Sequence, residues 1–74
     1  MLLSEGQIGR NYEVQSMNLP VSLGRRLEAL GMTPRTLVSV LNRKGRGILI
    51  VKIRGTRFAL GENITKKITV RESA

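Results

Sequence analysis

The run Ile48-Leu49-Ile50-Val51-Lys52-Ile53 constrains this chain most, because both of its faces are apolar. In an extended strand Leu49, Val51 and Ile53 fall on one side while Ile48 and Ile50 fall on the other. Such a strand needs cover on each face. The preceding run Leu37-Val38-Ser39-Val40-Leu41 is equally rich in β-branched residues, and Asn42-Arg43-Lys44-Gly45-Arg46-Gly47 between the two reads as the basic tip of a hairpin. Arg54-Gly55 then supplies a two-residue turn, with glycine free to take positive φ, into a third strand at Thr56–Leu60.

Two more strands follow from period-two alternation. Tyr12 and Val14 are the apolar members of Tyr12–Met17, and Ile68 and Val70 are the inward members of Lys66–Arg71. Between the first strand and the hairpin the period changes. Leu23, Leu27 and Leu30 stand at i, i+4 and i+7, which predicts one amphipathic helix at about 19–30. Asn18 can cap it with Pro20 in the first turn, or Ser22 can cap a shorter version. At its end Gly31 can take the left-handed conformation, Met32 can pack back on Leu27, and Pro34 prevents a restart. Leu27 and Leu30 read as core and Leu23 as an exposed edge. Gly61–Ile64 reads as one tight helical turn. Five short strands in 74 residues require a strongly bent, nearly closed sheet, since a flat one would leave long unpaired edges and a bare apolar face. The expected fold is therefore mainly β: one domain over residues 1–74, a small five-stranded SH3-like barrel with one short amphipathic helix after the first strand. That helix is the expected lid over the outer face of Ile48–Ile53.

Little in the chain can do chemistry. There is no His, Asp or Cys, and the Glu residues at 5, 13, 28, 62 and 72 are scattered over different elements. Paired-carboxylate and Ser–His–acid mechanisms lack material, as do thiolate or imidazole metal sites, so no catalysis, metal or cofactor is expected. Neither Gly6-Gln7-Ile8-Gly9 nor Gly45-Arg46-Gly47 has the spacing of a phosphate loop leading into a helix. Tyr12 and Phe58 are the only aromatics, too few for a polyproline groove.

Charge is the remaining signal. The chain carries 13 Lys and Arg against 5 Glu, a net +8, and residues 25–57 alone account for that net charge. The basic clusters are Arg25-Arg26, Arg43-Lys44-Arg46 and Arg54-Thr56-Arg57. Such a field favours an acidic partner without choosing its kind. A nucleic-acid-binding barrel is the alternative function, but neither aromatic lies within a basic cluster, where a base could stack, and nucleic acid is not the expected partner.

The stretch Arg25-Arg26-Leu27-Glu28-Ala29-Leu30-Gly31-Met32-Thr33-Pro34, followed by the two β-rich runs, resembles the FeoA family of ferrous iron transport proteins. The similarity continues through Phe58-Ala59-Leu60-Gly61-Glu62-Asn63-Ile64 and Ile68-Thr69-Val70, and so spans about Gly6 to Val70. One departure is Arg35, which occupies a place where family members usually have Gly. The resemblance implies a small cytoplasmic accessory protein of bacterial ferrous iron uptake, partnered by the membrane transporter FeoB and its cytoplasmic GTP-binding domain. On that reading the expected partner-binding residues are Leu23, Arg25, Arg26 and Arg35, with Arg43, Lys44 and Arg46 second. An exposed arginine such as Arg43 or Arg46 could also act on nucleotide hydrolysis by the partner. The same fold occurs as the C-terminal domain of iron-dependent repressors, but no DNA-binding helix-turn-helix is present. No signal sequence or spanning segment is recognisable, so cytoplasmic residence without membrane insertion is expected. Oligomeric state is left open, because sheet edges can pair with copies of themselves.

Overall fold

A computed structural model describes residues 1–73. The strands are β1 (Asn11–Met17), β2 (Leu37–Lys44), β3 (Ile48–Ile53), β4 (Thr56–Leu60) and β5 (Ile68–Glu72). Helix α1 (Val21–Ala29) lies between β1 and β2, and the single-turn helix α2 (Glu62–Thr65) between β4 and β5. The sheet is antiparallel throughout, in the order β4-β3-β2-β1-β5. It is bent rather than closed, so β4 and β5 are its two edges.

The bend wraps one face around the core. Tyr12, Val14, Val38, Val40, Leu49, Val51, Ile53, Leu60, Ile68 and Val70 are all buried there, joined by Leu27 and Met32 from the helix region. Two bulges decide which side chains reach it. The β1–β5 register shifts between Val14 and Ser16, so Met17 and not Ser16 sits opposite the buried Ile68 and packs on the core. The β2–β3 register shifts between Val40 and Asn42, which aligns Arg43 with the buried Leu49 and sends Asn42 and Lys44 to the outer face beside Ile50 and Ile48. Hence the hairpin loop is only Gly45-Arg46-Gly47, shorter than the six residues expected, and Arg43 and Lys44 belong to the strand.

Helix α1 ends as expected and begins otherwise. Met32 N–H donates to Leu27 O at 2.9 Å and Gly31 N–H to Glu28 O at 2.9 Å, with Gly31 at φ 103°: a Schellman close. It buries both Leu27 and Met32. At the start neither Asn18 nor Ser22 caps. Pro20 is the N-cap, its carbonyl accepting from Gly24 N–H at 2.9 Å, while Asn18 N–H is held by Lys67 O at 2.8 Å and so lies outside the helix.

The helix is not the expected lid. It feeds Leu27 into the inner core, and its end lies near the β3–β4 turn, where a Cβ on Gly31 would stand 3.0 Å from Arg54 Cδ and 3.6 Å from Ile53 Cγ2. The outer face of β3 stays open, with Ile48 38% exposed. Leu30 is also not core: it is the C-cap residue and is 48% exposed, because only the Leu27 side of the apolar stripe is turned inward.

The first five residues belong to the fold. Leu3 is fully buried in a 3-10 turn at Leu3–Glu5, and Leu2 bridges Thr69 of β5. Val70 N–H donates to Met1 O at 2.7 Å, and the Met1 amino group donates to Val70 O at 3.1 Å. Arg35 sits at φ 72° in the turn Thr33-Pro34-Arg35-Thr36, closed by Thr36 N–H to Thr33 O at 3.0 Å. Proline second and positive φ third make this a type II turn, which favours glycine at the third position. An L-residue there costs roughly 1 kcal/mol or more.

Candidate functional site

The basic residues grouped by sequence are dispersed by the fold. Arg43, exposed but aligned with Leu49 by the Leu41 bulge, donates its guanidinium to Gly6 O at 2.6 Å and Ser4 O at 3.2 Å. It clamps the N-terminal segment onto β2. Arg46 stands alone at the hairpin tip between two positive-φ glycines. Lys44 faces outward on β2. Outside these clusters, Arg10 pairs with Glu72, and Arg71 with Glu13 at 3.2 Å. The stem of Arg54 lies over Gly31 at the helix end, where the backbone carbonyls favour a cation.

Two surfaces remain. On the helix, Arg25 borders a shallow groove of about 270 Å³ with Met17, Leu19, Val21, Gly24 and Glu28. Val21 is 69% exposed there. Arg26 falls on the other flank, at helical spacing from Leu23 and Leu30, so the adjacent arginines serve different sides. Leu23 is half-buried, Leu30 and both arginines are exposed, and Arg35 lies beyond the helix in its own turn. Leu30 is the exposed apolar residue that sequence spacing misassigned to the core.

The second surface is the outer face of β2, β3 and β4. A cleft of about 430 Å³ is lined by Leu41, Asn42, Lys44, Ile50 and Arg57. Lys52 stands opposite Arg57 on the same face. None of Lys44, Lys52 and Arg57 has a carboxylate within 4.0 Å among the described residues. The double-sided apolarity of Ile48–Ile53 is the sequence signal for this face, and no element of the chain covers it among the described residues.

Neither surface offers a stacking platform, since Tyr12 is buried with its hydroxyl accepting from Gln7 N–H at 2.8 Å, and Phe58 packs against the core. No group of three or more His, Cys, Asp or Glu side chains is brought together among the described residues. No helix among them is long and apolar enough to cross a membrane.

A bent five-stranded sheet with a helix between β1 and β2, presenting mixed basic and apolar surfaces, defines the class: a small SH3-like domain. The model of the FeoA domain matches residues 1–72, and the chain belongs to the FeoA family, which is associated with ferrous iron transport. That match includes the N-terminal residues that the sequence motifs had left out. The FeoA protein from Chlorobium tepidum is 31% identical with a TM-score of 0.93, over 100% of this chain and 71% of that one. The zinc complex of Stenotrophomonas maltophilia FeoA, described as a prokaryotic SH3 domain protein, is 29% identical with a TM-score of 0.81, over 95% of this chain and 88% of that one. A manganese-dependent transcriptional repressor shares the fold at 20% identity and a TM-score of 0.86, this chain spanning 41% of it. Comparison with curated proteins returns no match.

Proposed function

We propose that this protein is a cytoplasmic accessory factor of bacterial ferrous iron uptake that docks through α1 on the cytoplasmic, GTP-binding part of a FeoB-type transporter. Family membership supports the process, and the Stenotrophomonas maltophilia relative is put forward as a candidate ferrous iron transport activating factor. The observation that carries the surface is Leu30: a large apolar side chain, 48% exposed, flanked by Arg26 and Leu23 on a helix whose other side is spent on the core. Covering Leu30 would remove apolar surface from water, and the arginine beside it is of a residue type enriched at interface hot spots. Arg25 and Val21 extend the surface across the helix, and Arg35 adds charge beyond its end. Arg43 is engaged within its own chain, which argues against its serving as a finger toward a bound nucleotide.

The test is capture of the transporter's purified cytoplasmic domain. Arg25→Glu with Arg26→Glu is expected to lower affinity at least tenfold, and Leu30→Ser to lower it comparably, with the fold intact in each. Undiminished binding by both variants would remove α1 as the docking face. Measuring GTP hydrolysis by the same domain with and without this protein separates docking alone from an effect on turnover.

A further inference from the structure

The two edges of the sheet are finished differently. The β5 edge is covered at its middle by Met1 and Leu2, whereas β4 has no outer neighbour among the described residues. Ile53 pairs with Thr56 across the two-residue turn Arg54–Gly55, whose φ values are 51° and 84°. A hairpin of this kind starts on a hydrogen-bonded pair, and bonded and non-bonded pairs then alternate. Phe58 and Leu60 therefore bond to β3, while Arg57 and Ala59 turn their backbone N–H and C=O groups outward. No backbone partner meets them among the described residues.

Side chains at this edge carry a matching pattern. Arg57 and Ala59 point to the outer face, beside Lys52, Ile50 and the 430 Å³ cleft, while Phe58, half-buried, points inward next to the edge. A strand laid against β4 would place alternate residues beside Arg57 and Ala59 on the outer face, with Lys52 one strand further in, and the residues between them beside Phe58.

We infer that the free edge of β4 accepts an extended acidic–apolar segment of another polypeptide as a sixth strand. The unpaired backbone groups specify a strand, and Arg57 on the edge, with unneutralised Lys52 and Lys44 behind it on β3 and β2, favours an acidic one. A second copy of this chain is disfavoured as the occupant. Antiparallel pairing of two β4 edges would bring Arg57 toward its own counterpart, and like charges across a ladder destabilise it, between molecules each at +8. This surface is distinct from α1, and the inference stands whether or not α1 binds a transporter.

The experiment uses the isotopically labelled protein with a capped octapeptide of alternating glutamate and valine. At saturation, hydrogen exchange at the Arg57 and Ala59 amides is expected to slow at least tenfold while α1 amides are unchanged. Arg57→Glu is expected to weaken binding about tenfold. The same peptide N-methylated at alternate residues, which cannot complete the ladder, should not bind, and this arm decides the matter even where the variant does not fold. Equal binding of a lysine–valine octapeptide, perturbation centred on α1, or protection from an oligothymidine with none from the peptide would each overturn the inference. So would sedimentation showing the protein alone as a dimer with protected Arg57 and Ala59 amides.

Discussion

The β5 and β4 edges are both outer strands of one small sheet, yet they solve the same problem by opposite means. At β5 the middle of the edge is satisfied from within: Val70 exchanges hydrogen bonds with Met1, Leu2 bridges Thr69, and Leu3 is driven into the core behind them. Arg43 then fastens the segment from the other side through Ser4 and Gly6. At β4 the outward groups of Arg57 and Ala59 meet no backbone partner among the described residues, and protection comes from charge, with Arg57 on the edge and Lys52 beside it. An edge occupied at its middle by its own N-terminus cannot take a continuous added strand. A charged edge is closed to copies of itself and open to an acidic strand.

That contrast can be broken from the sealed side first. Leu3→Ala should cost about 2–5 kcal/mol, because the side chain is wholly buried and a cavity would remain. In urea unfolding this is a large fraction of the stability of so small a domain. A loss below about 1 kcal/mol would mean that the N-terminal segment merely rests on β5. Arg43→Ala should cost about 1 kcal/mol, since two charge-assisted bonds to carbonyls are lost at a largely exposed site. Faster exchange of the Val70 amide would accompany it, and an unchanged amide would detach the clamp from the edge. The open side predicts the smallest effect. Ile48→Thr should shift stability by less than about 0.5 kcal/mol, because the residue is 38% exposed on a face that nothing covers. A larger loss would show that the outer face contributes to folding.

Much of the architecture was legible from residue chemistry. Five strands, one helix and the Gly31–Met32 close all follow from periodicity and from glycine's access to positive φ. The turn at Arg35 was visible only as a departure from a family pattern. Its cause is conformational: φ 72° at the third position of a type II turn is glycine's natural place. The candidate site was legible in part. Arg25 and Arg26 were found, but the grouping of Arg43, Lys44 and Arg46 dissolved, since consecutive residues on a strand point to opposite faces. Leu30 and the outer face of β3 were assigned to the interior because an apolar residue in a sequence does not say whether a neighbour covers it.

Local chemistry thus set the kind of each element and the way most of them end. Which face each side chain occupies beyond Gln15 and Leu41 was settled by two bulges, and a bulge exists only where two strands already pair. The sealing of β5 by Met1–Leu3 depends likewise on contacts nearly seventy residues apart in the chain. Residue patterning fixes period and turn. The difference between a closed and an open edge is a property of long-range pairing, and only the assembled sheet has it.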